Sequence, residues 1–381
     1  MKIVAVNAVG LRGHTPEGGW ASDLNPKEDV VHTLIAVHTD ENVIGYGSVF
    51  TNDRLTQAAL QVMAPYFIGE NPLEPERVTE KIAQNTWWMG MGGTLTHAQS
   101  GIDIALWDIL GKVTEQPIGR LLGGRYRSKV KPYCSLLMKE PGAMSETVAF
   151  YKSQGFRAFK IGWGPFGRGG GRKTDEAIVR AARTAAGDDC DLMVDAGASD
   201  AYWPHGYNWA MQTAHMLRDY EVMWFEEPLR PDCMADYIAL RRASPVPIAG
   251  GEVMTRRQTF RPWLAEGALD IVQPDVTKVG GISEQRRIAW MANDFGIRYV
   301  GHGWNTAIGL AADLQLASAF PNTNLVEYIG GAPYVDSITV GGWRLDANGL
   351  LDIPDGPGLG VEIDRNKIAA YTSDPRPLFA A

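Results

Sequence analysis

The sequence predicts an α/β fold, a (β/α) barrel with a smaller α+β domain in front of it, and three observations carry that expectation. Eight short apolar runs recur from about Tyr133 onward at intervals of roughly 25 to 35 residues, the length of one βα unit. Each run ends in a polar or Gly residue and gives way to a longer helical pattern. The stretch ahead of them alternates apolar and polar residues as antiparallel strands do. The chain has 381 residues, 45% apolar and 21% charged, enough to bury a barrel core and a second, smaller one.

Taken in order, KIVAVNAVGL, VHTLIAVHTD and VIGYGSVF read as three strands of a small antiparallel sheet, with a polar, Gly-rich connection from Gly13 to Lys27. Helical patterns follow. In LTHAQSGIDIALWDILGKV, residues Ile102, Ala105, Leu106, Ile109 and Leu110 form one apolar stripe. Residues 1–125 are therefore expected to be an α+β unit. The eight runs are YCSLL, FRAFKIGW, CDLMVDAG, VMWFEEP, VPIAGGE, LDIVQPD, IRYVGHG and NLVEYI. Near-continuous apolar strands suit a parallel sheet covered on both faces, and eight units are the number that closes a barrel, here assigned to residues 126–335. The final segment, 336–381, returns to turn-rich sequence and is expected to pack back on the N-terminal domain.

Composition narrows the function. A formal charge of −8 argues against nucleic acid as partner, since phosphate binding draws on clustered Lys and Arg, and favours a small molecule. Three widely spaced cysteines, Cys134, Cys190 and Cys233, suggest neither a disulfide framework nor a thiolate metal site. With no signal-peptide plan at MKIVAVNAVGL and no apolar stretch of bilayer length, a cytoplasmic protein without a membrane partner is expected.

In such a barrel the chemistry sits where strands end, so the polar residues closing each run are the ones to inspect. Runs two to eight close on Lys160, Asp195, Glu226 or Glu227, Glu252, Asp275, His302 and Glu327. One such residue is ordinarily a helix cap or a solvated turn; seven in succession are not. Asp195, Glu226 and Glu252 end neighbouring strands and should converge, and three bare carboxylates repel unless a hard cation joins them. An all-oxygen set suits Mg²⁺ over Zn²⁺. His302 and Asp275 end adjacent strands, so the carboxylate can hold one ring nitrogen and leave the other as a base. Lys160 and Gly162, two apart, should both point into the barrel.

The pieces GIDIALWDILGK, FKIG, MVDAG, WFEEP, GGE, QPDVTKVGG, GHGWNTAIG, LVEY and IPDGPGLGVEID together resemble the enolase superfamily, and within it the mandelate racemase-like subgroup, over nearly the whole chain. The resemblance implies a (β/α)7β barrel with an α+β capping domain completed by the C-terminal segment. It implies that Asp195, Glu226 and Glu252 hold Mg²⁺, that Asp275 and His302 form the base pair, and that Glu327 hydrogen-bonds the substrate carboxylate. Lys160 matches the first Lys of the family's Lys-x-Lys motif, but Gly162 stands where the second belongs. A racemase needs groups on both faces of the carbanion, whereas a dehydratase manages with one. The implied activity is thus an Mg²⁺-dependent hydro-lyase acting on an acid sugar, an aldonate before an aldarate. His302 would take the C2 proton to give a metal-stabilised enolate, and loss of the C3 hydroxyl, with the proton from His302 or Lys160, would give a 2-keto-3-deoxy acid. Such proteins commonly self-associate, so a homo-oligomer is expected. Capping-loop residues Trp20, Asp23 and Arg54, together with Lys278, are candidates for substrate contact.

Other readings compete. A cycloisomerase, epimerase or racemase of a sugar acid or lactone would use the same enolate, and a non-catalytic sugar-acid-binding protein would use the same pocket. Gly162, Gly164 and Gly167 also spell G-x-G-x-x-G after a strand, the dinucleotide fingerprint. Here the loop continues through Arg168, Arg172 and Lys173 before a helix expected near Thr174. That is too long a turn for a nicotinamide site, and the loop's basic residues could instead assist an anionic substrate at the barrel mouth.

Overall fold

The computed structural model describes residues 1–12, 32–199 and 203–381. Three antiparallel strands open the chain, β1 (Ile3–Leu11), β2 (His32–Thr39) and β3 (Ile44–Val49), ordered β1-β2-β3. Every residue of the central strand is buried, because the helix Thr94–Val113 covers one face. The contact is closest where glycine meets helix backbone: a Cβ on Gly45 would fall 2.1 Å from the Ala105 carbonyl oxygen, and one on Gly47 would fall 1.9 Å from that of Gly101. Glycine at alternate positions of VIGYGSV is what lets helix and sheet touch.

Eight strands then form the barrel: β4 (Lys129–Leu137), β5 (Ala158–Gly162), β6 (Asp191–Asp195), β7 (Phe225–Glu226), β8 (Ile248–Gly250), β9 (Ile271–Val272), β10 (Arg298–Tyr299) and β11 (Leu325–Ile329). They are joined by parallel ladders in the order β10-β9-β8-β7-β6-β5-β4-β11. Between β10 and β11 the barrel closes through the hydrogen bond from the Tyr299 N–H to the Asn322 carbonyl, 3.1 Å, in place of a ladder. One buried residue from each strand or its flank, namely Tyr133, Ala158, Met193, Trp224, Ala249, Ile271, Val300 and Leu325, fills the interior. This is the packed core, not a pore, that an eight-strand barrel requires. Tyr133 and Trp224 meet edge to face at 5.6 Å within it.

Each of the eight runs contains a strand, and helices of ten or more residues follow the first seven. The eighth is followed only by the four-residue helix Pro333–Asp336, so the expectation of a long helix after every run fails there and the (β/α)7β plan holds. The last segment is less strand-like than its sequence suggests. Only β12 (Leu351–Asp352) is formed, antiparallel to β4, while Asn7 Nδ2 donates to the carbonyls of Pro377, 2.9 Å, and Ala380, 3.2 Å. The segment thus touches both barrel and N-terminal sheet. Among the described residues no helix is long and apolar enough to cross a membrane.

The helix Thr94–Val113 is fastened to the barrel helix Gly281–Asp294. Asp103, fully buried, accepts from the Ser283 N–H at 2.9 Å and the Ser283 and Thr79 hydroxyls, and Trp107 Nε1 donates to Ser283 Oγ at 2.9 Å. Burial, only partly opposed by these donors, pushes the Asp103 carboxyl up to about 7. A raised carboxyl holds its proton more tightly folded than unfolded, so its contribution is complete below about pH 4 and is lost as pH rises to about 7, by about 1.4 kcal/mol per pH unit at most. Urea unfolding of wild type and Asp103→Asn at pH 5 and pH 8 should show the variant gaining relative to wild type at pH 8. An equal difference at both would mean that Asp103 does not titrate in that range.

Candidate active site

The residues named from run ends gather at one end of the barrel, each no more than 6% exposed. Asp195 and Glu226 close β6 and β7, and Glu252 lies two residues beyond β8. Lys160 and Glu327 stand within β5 and β11, not at their ends, and project inward by the two-residue alternation. Asp275 and His302 lie beyond β9 and β10 and pair with one another in an isolated parallel bridge.

One oxygen from each of Asp195, Glu226 and Glu252 lies within 4.8 Å of the others, a buried set able to hold a metal ion. Their orientation is imposed from outside the set. Trp224 Nε1, 2.9 Å, and Gln273 Nε2, 2.7 Å, both donate to Glu226 Oε2, and the Gly197 N–H donates to Asp195 Oδ1 at 2.8 Å. The run WFEEP left two glutamates open. Glu226 joins the set, and Glu227, in the left-handed region at φ 40°, does not. Burial and the charge of Glu252 push Glu227 up to about 8.

Lys160 Nζ lies 2.6 Å from Glu226 Oε1, 3.0 Å from Glu327 Oε1 and 3.4 Å from Asp195 Oδ2. Burial would discharge this amine, but Glu226 and Glu327 outweigh it and hold its pKa well above the ordinary value. His302 Nδ1 is 2.7 Å from Asp275 Oδ2, which also takes part in an ion pair with Lys278 at 3.5 Å, while Asp275 Oδ1 accepts from the Thr277 N–H and hydroxyl. His302 Nε2 points to Glu252 Oε2 at 2.9 Å, with Glu327 Oε2 at 3.9 Å. Burial opposes the protonated ring, but Glu252 and then Glu327 and Asp275 prevail and raise its pKa well above the usual value. The partners move the opposite way: His302 and Lys278 draw Glu252 down, and Lys160 and His302 draw Glu327 down, in each case against burial. Asp195 is pushed well up, by burial first and then by Glu226.

A cavity of about 140 Å³ opens on this cluster. Lys160, Asp195, Glu252, Lys278 and His302 line its charged part; Phe50, Leu137, Trp163, Val253 and Trp304 supply apolar wall, and Ser135, Gly162 and Ser199 complete it. Of the substrate-contact candidates, Lys278 lines the cavity, its Nζ over the Phe50 ring at 4.3 Å. Arg54 does not: it is exposed in the first turn of the helix Asp53–Phe67, which Asn52 caps. Trp20 and Asp23 lie outside the described residues. Arg168 and Arg172 do not line the cavity either. Arg168 donates to the carbonyls of Phe166, Ala196 and Gly197, and Arg172 to Gln212. The helix begins at Gly171, with Arg172 in its first turn, nine residues past Gly162, so the G-x-G-x-x-G spacing makes no tight phosphate turn.

Sequence reasoning missed Phe50, Trp163, Ser199 and Trp304. None closes an apolar run with a charged group, and only Trp163, directly after FKIG, stood beside a residue already singled out.

With this geometry in place, the comparison with known proteins is decisive for the family. Residues 26–123 match the mandelate racemase / muconate lactonizing enzyme N-terminal domain, and residues 143–367 match the enolase C-terminal domain-like family. The chain belongs to the mandelate racemase-like branch of the enolase superfamily. Among its relatives is the D-galactarolactone cycloisomerase of Agrobacterium fabrum, 34% identical over 97% of this chain and 99% of that protein. The D-xylonate dehydratase of Haloferax volcanii is 32% identical over 91% of this chain and 86% of its own. The crystal structure of the 3,6-anhydro-D-galactonate cycloisomerase from Zobellia galactanivorans superposes with a TM-score of 0.86 at 27% identity, covering 98% of this chain and 100% of that one.

Gly162 is where this member departs from the Lys-x-Lys motif, and the structure gives a physical reason for glycine. It pairs in register with Asp195, and a Cβ there would lie 2.8 Å from the Asp195 Cβ. Gly162→Ala should therefore displace the end of β5 and destabilise the fold by roughly 1–3 kcal/mol, as overpacking does. Thermal unfolding unchanged within about 0.5 kcal/mol would show that Asp195 yields without cost.

Proposed function

We propose that this protein is an Mg²⁺-dependent acid sugar dehydratase in which Asp195, Glu226 and Glu252 hold the cation and His302, oriented by Asp275, is the base. The carrying observation is the His302–Asp275 pair set against the carboxylate set across one small cavity. The donor chemistry fits a hard divalent cation: all oxygen, buried, and so short of positive charge that Asp195 is pushed toward its neutral form. When bound, Mg²⁺ supplies a site for the substrate carboxylate and stabilises negative charge developing next to it.

The protein's own groups do the rest. His302 Nε2 removes the C2 proton while Asp275 fixes the other ring nitrogen. Glu252 is, after burial, the first cause of the raised His302 pKa, so charge that Glu252 shares with a cation no longer holds the proton on the ring. Lys160 and Lys278 are cations placed to meet the acid, and Glu327, which takes up a proton when the negatively charged acid binds beside it, donates a hydrogen bond to its carboxyl end. The electron pair left at C2 expels the C3 hydroxyl, which leaves as water with the proton from His302, and the resulting enol takes up a proton at C3 and releases the one on its C2 oxygen to give a 2-keto-3-deoxy acid. An aldonate is favoured by the relatives that carry the names D-xylonate dehydratase and D-galactonate dehydratase. We further propose residues 1–125 as capping domain, 126–335 as barrel and 336–381 as the segment completing the cap, in a cytoplasmic homo-oligomer with no nucleic acid or membrane partner. A second reading, a cycloisomerase opening or closing a sugar lactone through the same enolate, is favoured by the two cycloisomerases among the similar proteins.

Incubation with Mg²⁺ in D₂O against aldonates, aldarates and their lactones, followed by mass spectrometry, separates these readings. Loss of one water, abolished in His302→Asn and by chelation, is the expected result. A change of isomer without water loss would establish the cycloisomerase, and binding without C2 exchange would leave a non-catalytic protein. Removing the amide that orients Glu226, as in Gln273→Leu, should weaken Mg²⁺ about 10- to 100-fold in an activation titration, the usual cost of losing a ligand's hydrogen-bond support. Unchanged Mg²⁺ dependence would take Glu226 out of the ligand set.

A further inference from the structure

We propose that Trp163 is the wall against which the sugar chain packs its C–H face, and that it leaves the carbanion at C2 with a proton source on the His302 side only. The inference rests on the dehydratase reading and adds to it a substrate-contact residue and a stereochemical consequence.

Trp163 directly follows β5 and lines the cavity. Its backbone sits at φ 61°, a left-handed conformation that is strained for a bulky residue and persists only where the surroundings enforce it. The enforcement can be named. The Trp163 N–H donates to the Asp195 carbonyl at 3.3 Å. The indole lies so close on Gly197 that a Cβ there would fall 2.7 Å from Cδ2 of the ring. Arg168 stands 5.9 Å from the ring centroid while donating to the carbonyls of Ala196 and Gly197 at 3.2 and 3.0 Å. The ring is thereby held on the backbone that leaves Asp195, a proposed metal ligand.

The neighbouring position reinforces this. Gly162 carries no side chain, and Asp195 leaves no room for one, so beyond it the first group that β5 presents to the cavity is the indole. Lys160, the amine of the same strand, is engaged by Glu226, Glu327 and Asp195. Around the closed barrel β5 and β10 are not neighbours: β6 to β9 lie between them one way and β4 and β11 the other, so the two strands reach the mouth from different sides. A substrate held between them meets an imidazole from the β10 side and an aromatic face from the β5 side. The pattern of a mostly apolar wall with few polar groups is that of small-molecule pockets, and an aromatic face suits the C–H surface of a polyol. As the C2–H bond breaks the proton passes to His302 Nε2, exchanges there with solvent and can return only to the face it left.

The test uses the whole protein with Mg²⁺ in D₂O and the acid sugar from which it removes water. Recovered substrate should contain no C2 epimer, and deuterium found at C2 should have the original configuration. Trp163→Leu should raise KM roughly tenfold with kcat within about threefold, as expected from loss of an apolar contact, with Trp163→Phe between it and wild type. A C2 epimer formed by wild type, or an unchanged KM in Trp163→Leu, would overturn the inference while leaving the dehydratase standing. Absence of both water loss and C2 exchange with every acid tested would overturn the dehydratase reading and this inference with it.

Discussion

An excess of buried negative charge governs this structure. Six carboxylates, Asp195, Glu226, Glu227, Glu252, Asp275 and Glu327, are sequestered at one end of the barrel, opposed among the described residues by Lys160, Lys278 and His302. Isolated charges in such surroundings are prohibitively costly, so each group is either paired or shifted toward neutrality. Both responses are visible. Glu252, Asp275 and Glu327 are drawn down by their cationic neighbours, whereas Asp195 and Glu227, less well served, are driven up. The cluster can accept more positive charge than the described residues provide, and a divalent cation is a chemically sufficient complement.

The barrel beneath is arranged to tolerate that load. The interior layer is apolar and well filled, yet its two large aromatics also serve the charges above: Trp224 donates to Glu226, and the Tyr133 ring lies 5.8 Å below the Lys160 ammonium. Fixed dipoles and a quadrupolar face cost no reorganisation when the charge distribution above them changes. The same residues thus pack the core and aim the site, which ties catalytic geometry to fold stability.

Much of this was legible in the chain. Buried parallel strands write themselves as apolar runs, and the residue that ends each run is placed at the mouth by the barrel's own geometry, so the seven charged positions could be read before any coordinates. What the sequence could not convey was depth and direction. Lys160 and Glu327 sit inside their strands and Glu252, Asp275 and His302 beyond theirs, because strand length depends on pairing with neighbours and not on local hydropathy. Glu226 and Glu227 are chemically alike; Glu226, the last residue of β7, joins the carboxylate set, while Glu227 follows the strand at a positive φ and stays out of it. The apolar cavity wall was silent for a different reason: a Trp or Phe lining a pocket has the same local signature as one buried in a core.

Glycine packing between the first sheet and the helix Thr94–Val113 has a further consequence. At Gly45 and Gly47 sheet backbone rests on helix backbone, with the side chains of Ile35, Val49 and Ile109 packed alongside, and the same helix is bonded to the barrel through Asp103, Trp107 and Ser283. Domain closure of the hinge or shear kind needs an interface that can slide or open, and neither contact permits it. The sheet that brings Phe50 to the cavity is therefore part of one frame with the barrel. An enzyme of this construction would meet its substrate with the Phe50 side of the cavity already in place.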